Sequence, residues 1–136
     1  MYLLDTDVLS NLTRPTPSPR LVARLAALAP DLLFSSSITL GELLYGALRD
    51  TARTMDLRSR IERTLPPAWR IVPFDIPAAR RYAEIRAELE GHGMPLAEPD
   101  LRIAAIALAK DFTLVTGNVR HFGRVPNLRV ENWLQP

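Results

Sequence analysis

Asp5, Glu42, Asp100 and Asn118 are the residues of this chain whose types and settings point to chemistry. Asp5 ends the apolar run Tyr2-Leu3-Leu4, and Asn118 follows a second apolar run in Thr116-Gly117-Asn118. Glu42 lies one turn into a helical stretch, and Asp100 begins another. A carboxylate near a core is costly unless it is paired or bound to a metal. Several in one cleft repel each other, and a divalent cation relieves that repulsion. The same ion can acidify a bound water and neutralise charge on a phosphate. Each position also has a purely structural reading. Asp5 fits as the cap of a helix starting at Thr6, and Glu42 as the partner of Thr39 in a capping box. Asp100 suits the positive end of a helix, and Asn118 suits a turn. Glu98 is a further candidate ligand that equally suits a first helical turn. Asp7 reads as a cap or a support for the ligands, and His92 and His121 as loop or surface residues. The hydroxyls of Thr6 and Thr116 could orient carboxylates or a water.

The elements that must position these residues can be read from apolar periodicity. Residues 2–5 predict a buried strand with Asp5 at its carboxyl edge, followed by a short helix over 6–12. Pro15, Pro17 and Pro19 break the chain before a helix over 21–28. A second strand is expected over 32–35. Ser37 is the expected N-cap of a helix over 38–49, and a further helix runs over 51–65 until Pro66-Pro67. A short strand over 70–73 precedes a helix over 76–90, closed by Gly91-His92-Gly93. Pro99 sits just inside the start of a helix continuing from Asp100 to Lys110, apolar nearly all round. Strands over 112–116 and 128–130 complete the chain. This alternation predicts an α/β fold with a parallel sheet covered on both faces. Sites in such sheets lie at the carboxyl ends of strands, where Asp5 and Asn118 both fall.

Composition narrows the chemistry. The 136 residues suit a single domain spanning 1–136. The absence of cysteine excludes disulfides, thiolate metal sites and cysteine nucleophiles. Only two histidines are present, so a metal would be a hard cation held by oxygen, such as Mg2+ or Mn2+. The net charge is +2, and Lys110 is the only lysine. Arginine suits bidentate phosphate contacts, with Arg49, Arg53 and Arg120 as candidates, although a GC-rich coding sequence explains the arginine bias more simply. No secretory leader and no membrane-spanning stretch are read from the sequence, which makes the cytoplasm the default expectation.

These segments together resemble the PIN-domain ribonucleases, in particular the VapC-type toxins of type II toxin-antitoxin systems. Leu3-Leu4-Asp5-Thr6-Asp7-Val8-Leu9-Ser10 is similar to their opening. Ser37-Ile38-Thr39-Leu40-Gly41-Glu42-Leu43 with Gly46 is similar to their second motif, and Asp100 to Ala105 to their third. Leu114 to Phe122 is similar to their fourth, and Val130-Glu131-Asn132-Trp133 to their close. The resemblance implies a three-layer α/β/α sandwich around a parallel sheet of four to five strands. It implies a Mg2+- or Mn2+-dependent endoribonuclease with Asp5 and Asp100, and next Glu42, as metal ligands. It also implies an RNA substrate, a cognate VapB-type antitoxin, a homodimer and no membrane. Many PIN domains carry a fourth acid where this chain has Asn118, which favours one well-held metal over two. The alternatives are a haloacid-dehalogenase-like phosphatase, suggested by Asp5-Thr6-Asp7, and an inactive RNA- or protein-binding module. A receiver-type phosphoacceptor lacks the lysine it needs near the last strands.

Overall fold

A computed structural model describes residues 1–135, position 69 by its backbone only; Pro136 lies outside the described residues. Five parallel strands form the central sheet: β1 (Tyr2–Leu4), β2 (Leu33–Ser36), β3 (Ile71–Val72), β4 (Thr113–Val115) and β5 (Val130–Glu131). Their spatial order is β3-β2-β1-β4-β5, with Leu3 in register with Phe34 on one side and with Leu114 on the other. Successive side chains on a strand face opposite ways, and the core divides accordingly. Leu3 and Leu114 pack into one hydrophobic cluster with α5 (Ile76–Gly91) and α6 (Glu98–Lys110). Leu4 and Val115 pack into the other with α1 (Thr6–Leu12), α2 (Pro19–Ala26), α3 (Ser37–Arg49) and α4 (Thr54–Thr64). The expected three-layer α/β/α sandwich is therefore observed, with five strands.

Local chemistry explains where the boundaries differ from expectation. The cap of α3 is Ser36, not Ser37: its hydroxyl accepts from the Thr39 N–H at 3.1 Å. Thr39 thus lies inside the first turn, which removes the capping-box reading of Glu42. Helix α2 starts at Pro19, because Ser18 accepts from the Leu21 N–H and proline suits the first helical position. The last strand covers 130–131 rather than 128–130. A four-residue helix, α7 (Val119–Phe122), replaces the turn expected after Asn118.

Helix α6 is the buried pillar of the fold. Leu101 and Ile103 to Ala107 are all buried, as an all-round apolar run requires. Asp111 closes the helix in the left-handed region, with φ of 59°. Because α6 carries Asp100 in its first turn, its packing fixes that carboxylate relative to the sheet. Replacing the fully buried Ile103 by alanine should lower the unfolding free energy by about 2–5 kcal/mol. Urea unfolding measures this, and an unchanged midpoint would contradict the pillar role.

Candidate active site

The strand order reverses direction between β1 and β4, which makes their carboxyl ends the switch point of the sheet. Asp5 lies just beyond β1, tied to β4 by its N–H bond to the Val115 carbonyl at 3.0 Å. It caps α1 and belongs to the site at once. Its Oδ1 accepts from the Thr6 N–H at 2.8 Å, and its Oδ2 accepts from the Thr116 hydroxyl at 2.8 Å. The side chain is 5% exposed. Burial, with the charge of Asp7 next and Asp100 least, pushes its carboxyl up to about 7, against the pull of its two hydrogen bonds.

Glu42 projects from the second turn of α3 towards α1 and accepts from the Thr6 hydroxyl at 2.7 Å. That hydroxyl lies 3.1 Å from the Thr39 hydroxyl, itself 3.3 Å from Ser36 Oγ. A short polar chain therefore fixes Glu42 from behind. Asp100 is partly buried and has no hydrogen-bond or ion-pair partner among the described residues. Burial raises its pKa, the charges of Glu42 and Asp7 add to the rise, and His121 opposes it. Asp5, Glu42 and Asp100 are thus brought to one end of the sheet.

Asp7 joins them more closely than its sequence position suggested. Its Oδ2 accepts from the Gly117 N–H at 2.8 Å, and its carboxylate lies 3.4–3.5 Å from the Thr116 hydroxyl. Asn118 carries no charge, and Asp7 supplies a fourth carboxylate from the neighbouring turn. Asn118 donates its N–H to Thr116 Oγ1 at 3.0 Å, and its side-chain amide meets His121 Nδ1 at 2.7 Å. His121 is exposed, as a surface residue is expected to be, and it also meets the site through Asn118. The signal for its place was its spacing of three from Asn118, which puts both on one side of a helical turn. Glu98 lies apart from the site. It is ion-paired with Arg86 and Arg102, and the Tyr82 hydroxyl donates to it, holding its pKa below the usual range. Arg49 stacks on Tyr45 and Arg53 pairs with Asp56.

The donor set is made of carboxylate and hydroxyl oxygens, which suits a hard cation. Among the described residues, no group of three or more acidic or histidine side chains stands close enough together to hold a metal ion. Magnesium does not require such a group, since it keeps several waters and commonly uses one or two carboxylates. Burial chiefly, and the neighbouring carboxylates after it, raise the pKa values of Asp5 and Asp100, a penalty on the charged form that a divalent ion would offset.

An acid-lined switch point on a parallel five-stranded sheet defines a doubly wound α/β protein. The chain belongs to the PIN-domain family: the family's sequence profile, described as PIN domain, matches residues 2–128. It is 39% identical to Toxin FitB of Neisseria gonorrhoeae over 126 residues, covering 90% of this chain and 91% of that protein. It is 34% identical to Ribonuclease VapC2 of Rickettsia felis over 134 residues, covering 98% of each. The crystal structure of FitAcB from Neisseria gonorrhoeae superposes with a TM-score of 0.88 at 36% identity, covering 100% of both chains.

Two outcomes follow from this geometry. A β-carbon on Gly117 would stand 2.9 Å from Asp7 Oδ2 and 3.0 Å from Leu134 Cδ1. Gly117→Ala should displace the Asp7 carboxylate at little cost in stability, within about 1 kcal/mol. With Asp7 moved away, the Asp5 pKa should fall in a carboxyl NMR titration; an unchanged pKa would contradict the contact. The second outcome concerns stability. The native carboxyl of Asp5 titrates near 7 against an ordinary value of 3.8, so the native state holds its proton more tightly than the unfolded chain. The stability this confers is complete below pH 3.8 and is lost as pH rises through about 7. In chelator, Asp5→Asn should therefore gain on the parent by about 4 kcal/mol between acid and alkaline limits. A difference independent of pH, in paired denaturant titrations, would contradict it.

Proposed function

We propose that this chain is a Mg2+- or Mn2+-dependent endoribonuclease of the VapC toxin type, hydrolysing RNA phosphodiester bonds and restrained by a cognate antitoxin. The observation that carries the reading is the convergence of Asp5, Glu42, Asp100 and Asp7 at the switch point. Relatives named as a toxin and as a ribonuclease cover nearly the whole chain and support it. Asp5 and Asp100 would hold the cation, with Glu42 completing the set directly or through water. A bound divalent ion supplies an acidified water and charge neutralisation at the phosphate. Thr116 aims Asp5, and Thr6 aims Glu42, so neither carboxylate turns away from the site. Glu42 is also placed to take a proton. Asn118, held against His121, orients water or phosphate.

The site opens beside a cleft of about 200 Å³ between α1, α3 and α4, lined by Leu43, Ala47, Leu57 and Ile61 on its apolar side and Glu42 on its polar side. An antitoxin segment seated there would cover the apolar wall and set a basic side chain against the acids. A homodimer and a cytoplasmic setting complete the proposal. No described helix is long and apolar enough to cross a membrane. The phosphatase reading loses ground because Lys110 ends α6, about 15 Å of helix away from Asp100.

Asp5→Asn and Asp100→Asn should each reduce Mg2+-dependent cleavage of labelled RNA on the order of 100-fold or more. Thr116→Val, which removes the hydroxyl that donates to Asp5 and accepts from the Asn118 N–H, should cost about 10–100-fold. Undiminished cleavage by both aspartate variants would refute the assignment.

A further inference from the structure

Outside the acid site, the strongest concentration of one charge is a cleft of about 270 Å³ between the end of α1 and α4, whose lining includes Arg14, Arg60 and Arg63. No carboxylate lines it. Arg60 and Arg63 lie three apart on α4 and share a side of the helix. Arg60 is pinned in place, with one guanidinium nitrogen 3.4 Å from the Thr13 carbonyl and the other 3.3 Å from Asp56. Arg63 reaches only the Ser59 carbonyl of its own helix, and no acidic partner meets Arg63 or Arg14 among the described residues. Three arginines thus line one cleft in a chain whose net charge is only +2. Asp56, outside that lining, answers Arg60, which leaves Arg14 and Arg63 to meet an anion.

The cleft is also placed in line with the acids. Thr13 lines both this cleft and the one that reaches Thr6 and Glu42. Helix α1, seven residues long, separates the two ends by roughly 10 Å. A polyanion with regularly spaced charges could therefore place one phosphate among the acids and another among the arginines.

We propose that Arg14, Arg60 and Arg63 form a phosphate-binding subsite that grips the backbone of a single RNA strand a few nucleotides from the cleaved bond. The proposal rests on the ribonuclease reading above for what lies at the acids. Guanidinium groups meet phosphate oxygens bidentately and carry no base selectivity. The subsite thus holds the strand in register and leaves the choice of sequence to the acid end.

Fluorescence anisotropy with Mg2+ present tests it, using a labelled, non-cleavable 2′-O-methyl RNA of about 12 nucleotides and a trinucleotide of the same chemistry. Arg14→Gln/Arg63→Gln removes the two arginines that lack acidic partners, and thermal unfolding checks that the fold survives. Arg81→Gln, on α5 in the opposite layer, is the control. The double variant should bind the long strand on the order of tenfold more weakly, with a salt slope shallower by about 0.7 per arginine removed. The advantage of the long strand over the trinucleotide should shrink, and Arg81→Gln should behave like the parent. Unchanged affinity and slope would overturn the proposal, as would an equal loss in the control. Equal weakening of long and short RNA would also overturn it, since the contact would then lie within the acid site. So would unchanged RNA binding with lost binding of a polyglutamate peptide, which would assign the cleft to an acidic protein. A parent protein that binds RNA through these arginines but cuts none with Mg2+ would refute the ribonuclease reading alone. Cleavage without this dependence would refute the subsite alone.

Discussion

Negative charge held against itself at the carboxyl ends of β1 and β4 is the constraint from which most of this structure follows. Asp5 is buried where water cannot screen it, with Asp7 and Asp100 adding to its difficulty. Two hydrogen bonds, from the Thr6 N–H and the Thr116 hydroxyl, recover only part of that cost. The surrounding sequence reads as an arrangement for keeping such a carboxylate in place. β1 and β4 pair side by side so that Thr116 faces Asp5. Gly117 leaves room for Asp7, and the Ser36–Thr39–Thr6 hydroxyls reach Glu42. One side chain there both caps α1 and meets the other acids, and a carboxyl whose pKa is raised by burial beside like charges is the kind of group that functional sites use.

The proposed cation resolves the same tension. It would turn the repulsion of the acids into a shared attraction and bring its hydration water to the phosphate. The arginine cleft at the far end of α1 carries the opposite charge, and the proposed subsite there would accept a phosphate directly, where the acids would need a cation to do so.

Much of this was legible in the chain. Apolar runs ending in Asp5 and Thr116 gave the strands, and the all-round apolar character of 101–109 gave the buried helix. Together with β/α alternation these sufficed for the parallel sheet and for where its acids fall. What escaped sequence reading depended on contacts between segments. Ser36 rather than Ser37 caps α3, its hydroxyl accepting from the Thr39 N–H, and adjacent serines in the sequence fit either choice. Asp7 reads equally as a helix cap or as a support for the ligands until β4 brings the Gly117 N–H to it across 110 residues of chain. His121 could have been placed by helical spacing from Asn118, but the four-residue α7 carries too little periodicity to announce itself. Glu98 has the composition of a ligand, and only the packing of α5 on α6 reveals that Tyr82, Arg86 and Arg102 engage it.

The central claim, that these acids exist to hold a divalent cation, is tested most directly by soaking crystals of the protein with Mn2+ and recording anomalous scattering. The account predicts a peak among the carboxylates of Asp5, Asp100 and Glu42, and its loss in Asp5→Asn crystals. Saturating Mn2+ with no peak among these residues, or a peak that persists unchanged in Asp5→Asn, would contradict it.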